Sequence, residues 1–226
     1  MDSKLFRTAF RDTIPVMTGY LFLGFGFGIL AQQNGLSLWW ALAMSAFIYA
    51  GSMQFVAVTM LSGGTNIFAA ALTTLAVNAR HLFYGLSMID RYKSTGKKKP
   101  YLIFSLTDET YSLVSQKEPG QDGGNYYFLV SALDQFYWCF GTLLGAAAGQ
   151  WIPLNYKGID FVLTALFVTI FVEQWLSTKN HLPAVIGLTA SVACRIVFGS
   201  NAFLIPSMGL IALLLLLTRG KEAKHE

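Results

Sequence analysis

From Leu38 to Leu61 the chain runs for 24 residues without an Asp, Glu, Lys or Arg, and stretches of this kind recur along it. Seven apolar segments can be drawn: 14–33, 38–61, 66–89, 125–149, 158–176, 182–199 and 200–217. Together they take 148 of the 226 residues yet hold only five charges: Arg80, Asp134, Asp160, Glu173 and Arg195. The other 78 residues hold the remaining 23. Each segment approaches the roughly 20 residues an α-helix needs to cross a hydrocarbon core of about 30 Å. A soluble chain carries about 25% charged residues. Here the charged share is 12%, too little to cover a water-facing surface. An aromatic content of 15% excludes disorder. The expected fold is all-α, a single polytopic helical membrane domain over residues 1–226 with about seven transmembrane segments.

The charged residues outside the segments set the topology. Lys4, Arg7 and Arg11 precede a long apolar run with no small-x-small cleavage site, so no signal peptide is expected. Phe6 and Phe10 alternate with those arginines as an amphipathic approach, and Pro15 is expected to start the first span. The loop Asp90–Pro100 carries Arg91, Lys93, Lys97, Lys98 and Lys99 against one acid, which places it in the cytoplasm. Within 90–124, residues 101–116 are too short and polar for a clear span and read as a half-helix, a surface helix or a re-entrant piece. Residues 117–124 (KEPGQDGG) form a loop. Four more spans place the tail 218–226 in the cytoplasm too. Three spans before the basic loop put the N-terminus outside. The alternative is that 38–61 dips in and out around Gly51. Seven full spans with an outside N-terminus is the expectation.

Residues 74–85 (TLAVNARHLFYG) and 188–199 (LTASVACRIVFG) both carry one arginine and end in an aromatic residue and glycine. This suggests inverted repeat units, 14–89 and 125–199, with broken helices near the midplane. In the first unit, Gly51 and Ser52 can let a helix unwind. A half-helix N-terminus there, beside Gln54, would offer N–H donors to a carboxylate. Close helix packing explains the same residues.

Arg80 inside a span costs roughly 2.5–3.5 kcal/mol unless paired or near water, which makes it a site candidate together with Asn78 and His81. Snorkelling toward the basic loop is the plain alternative for Arg80, and packing for His81. Asp134 and Glu173 suit proton carrying or ion pairing, with Arg80 and Arg195 as natural partners. Asp108 and Glu109 fit either a pathway mouth or the solvated face of a surface helix. Gly24 and Gly28, and Gly141, Gly145 and Gly149, form grooves for a packed neighbour or a partner subunit.

Other chemistries find no support. The sequence has no Walker A motif, no metal-ligand spacing and no tract suited to nucleic acid. Cys139 and Cys194 read as packing residues. Gly51-Ser52 with His81 lacks the context of an activated serine. No enzyme activity, metal or other cofactor is expected.

The runs AGSMQF (50–55), NARHLFYGLS (78–87), TDETYSL (107–113) and FRDTIPVMTGYLFLGFGFGIL (10–30) resemble the AzlC-type family, the large subunit of azaleucine-resistance, branched-chain amino acid exporters. These runs fall within residues 5–115. The resemblance implies a proton-driven secondary exporter of leucine, isoleucine, valine and sometimes methionine. It implies a bacterial inner-membrane location and a small AzlD-type membrane subunit. It transfers no substrate residues, so the site list rests on the physical reading: Gly51, Ser52, Gln54, Asn78 and Arg80 for substrate; Asp134, Glu173, Arg195, Asp108, Glu109 and His81 for proton coupling or ion pairing. The alternatives are a membrane scaffold or assembly subunit, an uptake component for another solute, and, in any of these roles, a higher oligomer.

Overall fold

The computed structural model describes residues 3–117, 123–151, 168, 171–172, 175–176, 178 and 180–222, and among them there is no strand. Asp160, Glu173, Gln174 and most of the segment 158–176 lie outside the described residues. The chain divides into two compact units, 1–164 and 165–226. The first contains α1 (Ser3–Gln33), α2 (Leu38–Phe47), α3 (Gly51–Ser62), α4 (Ile67–Asn78), α5 (Arg80–Tyr92), α6 (Lys99–Phe104), α7 (Asp108–Ser115) and α8 (Gly123–Trp151). The second contains α9 (Leu182–Ala202) and α10 (Leu204–Glu222).

The first unit is built on α1 and α8. At 1.5 Å per residue they run roughly 45 Å each, enough to cross a bilayer. Tyr126 donates to Asp12 at 2.8 Å near the start of both helices. Thr13 meets Tyr137 at 3.2 Å, and Gly149 faces Gln32 near both ends. The two helices are therefore parallel. Their contact is glycine against backbone: a Cβ on Gly24 would stand 2.8 Å from the Trp138 carbonyl, and one on Gly141 2.8 Å from that of Leu21. The glycine grooves are thus filled by each other within one chain.

Three expectations change. Pro15 does not start α1; the helix begins twelve residues earlier, at Ser3. Its first turns are held by packing, since Ala9 is fully buried among Met88, Tyr92, Leu102 and Tyr127. Nor does segment 66–89 form one continuous helix, because α4 ends at Asn78 and α5 starts at Arg80.

The third change concerns 38–61, which is not one crossing. It folds into α2 and α3, ten and twelve residues long, each about half a hydrocarbon core. Ser62, at the end of α3, donates to Asn34 beside the end of α1 at 3.0 Å. The hairpin therefore enters and leaves at one end of the bundle. Segments α6 and α7 form a second hairpin from the opposite end: α6 follows the basic loop, and α7 leads to Lys117, which pairs with Asp12. Two re-entrant hairpins thus enter from opposite ends.

The α4–α5 arm then returns along the unit, and Ala9 packs with Met88 and Tyr92, so the N-terminus lies at the same end as the basic loop. This differs from the expected arrangement, in which the N-terminus lay opposite the basic loop: Lys4, Arg7 and Arg11 stand at the same end as the other basic residues. The positive-inside rule assigns that side to the cytoplasm. Cysteines introduced at residues 3 and 97, with Cys139 and Cys194 replaced, are expected to react only with a cytoplasmic-side reagent. Labelling from opposite sides would restore seven crossings.

Candidate functional site

The site lies where the two hairpin tips approach mid-bundle. In α2, the N–H groups of Ile48 and Tyr49 both donate to the Met44 carbonyl, which closes the helix. Tyr49 then takes φ 44°, the left-handed region. A bulky side chain there costs roughly 1–3 kcal/mol, and surrounding contacts must hold it. Ala50 turns the chain, and α3 starts at Gly51 with no side-chain cap. The N–H groups of Gly51, Ser52 and Met53 therefore have no acceptor in their own helix. The break is centred on Tyr49 rather than on the glycine. Gly51 is closely packed instead: a Cβ would stand 3.1 Å from the Trp138 ring, which would have to shift by a few tenths of an ångström.

The opposite tip is Ser105–Thr107. Thr107 caps α7 by accepting from the Thr110 N–H, so Asp108 and Glu109 occupy the first turn, which favours negative charge. The two tips approach each other directly, with the rings of Tyr49 and Phe104 6.3 Å apart.

Arg80, the first residue of α5, bridges the tips. Its Nη2 donates to Ser52 Oγ at 3.0 Å and pairs with Asp108 Oδ2 at 2.9 Å. Its ion-pair partner is therefore Asp108, not Asp134, and its charge is used within the bundle rather than carried to the surface. Asp134 is fully buried in α8 and accepts from Thr110 at 2.8 Å. Glu109 accepts from Tyr20 at 2.6 Å, and that same hydroxyl lies 2.7 Å from Thr107 Oγ1. Asp108 and Glu109 are thus tied into the bundle and are not a solvated face.

Two buried polar atoms around the tips, Arg80 Nε and Asp134 Oδ1, have no hydrogen-bond partner. Buried polar groups are rarely left so. The carboxylates acting on Tyr49 are Asp134 and Glu109.

Gln54 stands apart from these. Fully buried, it donates to Ser45 at 3.1 Å and accepts from Trp138 at 3.1 Å, while Ser45 meets Thr142 at 2.8 Å. Its amide ties α3 to α2 and α8. Asn78 and His81 flank the α4–α5 break, with His81 Nδ1 3.2 Å from the Asn78 carbonyl and its ring against Tyr84. Arg195, in the second unit, is exposed and lies over the Phe203 ring at 5.8 Å.

Sequence reasoning missed Tyr20, Tyr49, Ser45, Trp138 and Thr142. Each looks like an ordinary apolar or small residue of a span. The available signal was polar atoms in the middle of charge-free runs, which carry buried hydrogen-bonding capacity.

Comparison with known proteins identifies the family. The family described as "AzlC protein" matches residues 15–152. The branched-chain amino acid transport protein AzlC of Bacillus subtilis (strain 168) is 47% identical over 205 residues, covering 90% of this chain and 81% of that protein. A protein of Helicobacter pylori (strain ATCC 700392 / 26695), described as an uncharacterized membrane protein, is 41% identical over 96% of both chains. The inner membrane protein YgaZ of Escherichia coli (strain K12) is 29% identical over 90% of this chain and 84% of its own length. No solved structure matches. The chain, an all-α membrane protein in which a half-buried Arg80–Asp108 pair links two opposed hairpins, belongs to the AzlC family.

Proposed function

We propose that the chain is the large subunit of a proton-coupled secondary exporter of branched-chain amino acids, and of methionine, in the bacterial inner membrane. It works with a small membrane subunit of the AzlD type. The printed name of the Bacillus subtilis relative supports the substrate class. One observation carries the reading: the uncapped start of α3 opens beside Arg80 at the meeting point of two hairpins.

An aliphatic amino acid has one group of each charge and an apolar side chain. Its carboxylate suits the N–H groups of Gly51, Ser52 and Met53, with Arg80 Nε adding a donor. Its ammonium suits Asp134 Oδ1, with Tyr49 OH beside it. The rings of Tyr49, Phe104 and Trp138 supply apolar surface. Gln54 holds the helices in place. Asn78 and His81 sit at the α4–α5 joint, where a small rotation would move Arg80. Opposed hairpin tips suit alternating access, because each tip closes the path from its own side.

The test is flux in proteoliposomes. Driven by an imposed proton gradient, labelled leucine, valine and methionine are expected to move opposite to the proton flow when the chain and its small partner are present. Absence of flux in either direction would reject transport and favour a scaffold. Net uptake under the physiological gradient would reverse the assigned direction.

A further inference from the structure

We propose that Tyr20, Thr107 and Thr110 form a hydroxyl relay that carries a single proton between Glu109 and Asp134. The proposal deepens the proton-coupled reading above and names its path.

Five side chains make an unbroken row of oxygens. Glu109 Oε2 is 2.6 Å from Tyr20 OH, which is 2.7 Å from Thr107 Oγ1. Thr107 Oγ1 is 3.0 Å from Thr110 Oγ1, which is 2.8 Å from Asp134 Oδ2. All four separations are hydrogen-bond distances. The row joins α1, the tip of the α6–α7 hairpin and α8. Its carboxyl ends lie on different helices and share no direct contact.

Counting protons gives the function. Four oxygen–oxygen links need four hydrogens, and the three hydroxyls supply three. With both carboxyl groups ionised, Tyr20 donates to Glu109, Thr107 to Thr110 and Thr110 to Asp134. The 2.7 Å link between Tyr20 and Thr107 then has no hydrogen, and two oxygen lone pairs face each other. One added proton completes the row, in either of two ways. On Glu109, it donates to Tyr20, and each hydroxyl donates onward, ending at ionised Asp134. On Asp134, it donates to Thr110, and every hydroxyl points back toward ionised Glu109.

The two arrangements interconvert when each oxygen passes its hydrogen to the next. One O–H bond breaks at Glu109 and one forms at Asp134; each of the three hydroxyls loses one hydrogen and gains another. Charge and atoms balance, and no other reactant is needed. A reset requires the three hydroxyls to rotate, which Ser, Thr and Tyr side chains do readily.

The surroundings make the ends unequal. Glu109 is influenced by Asp108, Arg80 and Tyr84, so substrate engaging Arg80 changes its field. Asp134 is faced by Tyr49, Tyr101, Tyr126 and Tyr137. Asp134 is fully buried, and its second oxygen has no partner. A substrate ammonium at that oxygen would favour ionised Asp134 and drive the proton toward Glu109. Binding would then be linked to proton position with no large movement.

The first test reads carboxyl protonation directly and needs no transport. Infrared spectra of the purified full chain in lipid are recorded at neutral pH for wild type, Glu109→Gln, Asp134→Asn and the double variant. An amide at either end donates a hydrogen into the row and points it at the remaining carboxylate. Each single variant is therefore expected to remove the same protonated-carboxyl band, with the double variant removing nothing more. The relay is overturned if wild type lacks that band, if only one variant removes it, or if the two remove different bands.

The second test uses flux. Thr110→Val and Tyr20→Phe keep shape but remove a link. They are expected to slow proton-driven leucine flux about 100-fold, while leucine–leucine exchange stays at the wild-type rate; Thr110→Ser is expected to keep both at the wild-type rate. Equal loss of both modes would show a structural role and overturn the relay. If wild type moves no leucine at all, the transport reading fails, and the infrared result still decides the relay.

Discussion

A methyl group added at Gly145 is expected to destabilise the folded bundle strongly. A Cβ at that position overlaps the Phe25 carbonyl, and one at Gly28 overlaps the Thr142 carbonyl and the Ala146 N–H. The obstacles are backbone atoms, which cannot rotate away as a side chain would. The two helices would have to separate, and Gly24 and Gly141 would lose their close contacts together with them. Inside lipid no hydrophobic drive pushes helices together, so close packing itself supplies the association. Overpacking with movable neighbours costs 1–3 kcal/mol, so Gly145→Ala should cost at least about 3 kcal/mol. Gly28→Ala should behave alike. Gly19 on the same helix has nothing within 4 Å. Gly19→Ala is expected to leave the melting temperature in detergent unchanged or slightly raised, since alanine is the better helix former by about 0.5–1 kcal/mol. A monodisperse Gly145→Ala protein with wild-type melting would refute the parallel α1–α8 pair.

The second large effect is expected at Arg80. Its guanidinium holds Ser52 on one hairpin and Asp108 on the other. Both charged side chains keep about a quarter of their surface exposed, 28% and 25%, so the pair contributes less than a fully buried one. Removing only the arginine leaves Asp108 facing apolar surroundings without its counter-charge, at a cost of roughly 3 kcal/mol. If that loss falls on the proposed transport-competent state, flux should fall on the order of 100-fold in Arg80→Ala. Adding Asp108→Asn removes the stranded charge, so the double variant is expected to recover stability. It is not expected to recover flux, because the donor beside the α3 start is still missing. Arg80→Lys should be intermediate, since an ammonium keeps the charge without the planar fork. Full flux in the double variant would reduce Arg80 to a structural ion pair.

The two sites differ in how far they could be read beforehand. Glycines four apart on two segments announce grooves, and grooves need a partner. Only packing shows that Gly24 and Gly28 meet Gly141 and Gly145 in the same chain. Arg80 stood out because a charge inside a span is costly. Asp108 was also singled out, with Glu109, as a pathway mouth or a solvated face. Their pairing was not legible: they lie 28 residues apart, and a second acid, Asp134, was an equally reasonable partner by composition.

The helix breaks make the same point. Gly51 marked an unwinding point within about two residues of the true turn. The left-handed residue proved to be Tyr49, whose side chain normally disfavours that geometry. Its strain is held by neighbours from α6 and by two N–H groups closing on Met44. Hydropathy could not reveal that 38–61 returns to the end it came from. A re-entrant hairpin and a full crossing have the same composition, and the Ser62–Asn34 contact distinguishes them.

Charge distribution alone therefore determined that this is a helical membrane protein, and it marked Arg80, Asp134, Asp160, Glu173 and Arg195 as the charges inside apolar segments. Transfer into lipid depends on each residue's own chemistry, so a linear sequence records it fully. The end of the bundle at which the N-terminus lies, the partner of Arg80, and the row from Glu109 through Tyr20, Thr107 and Thr110 to Asp134 were decided only by tertiary structure. Each depends on a separation of a few ångströms between residues far apart in the chain, and folding alone sets those separations.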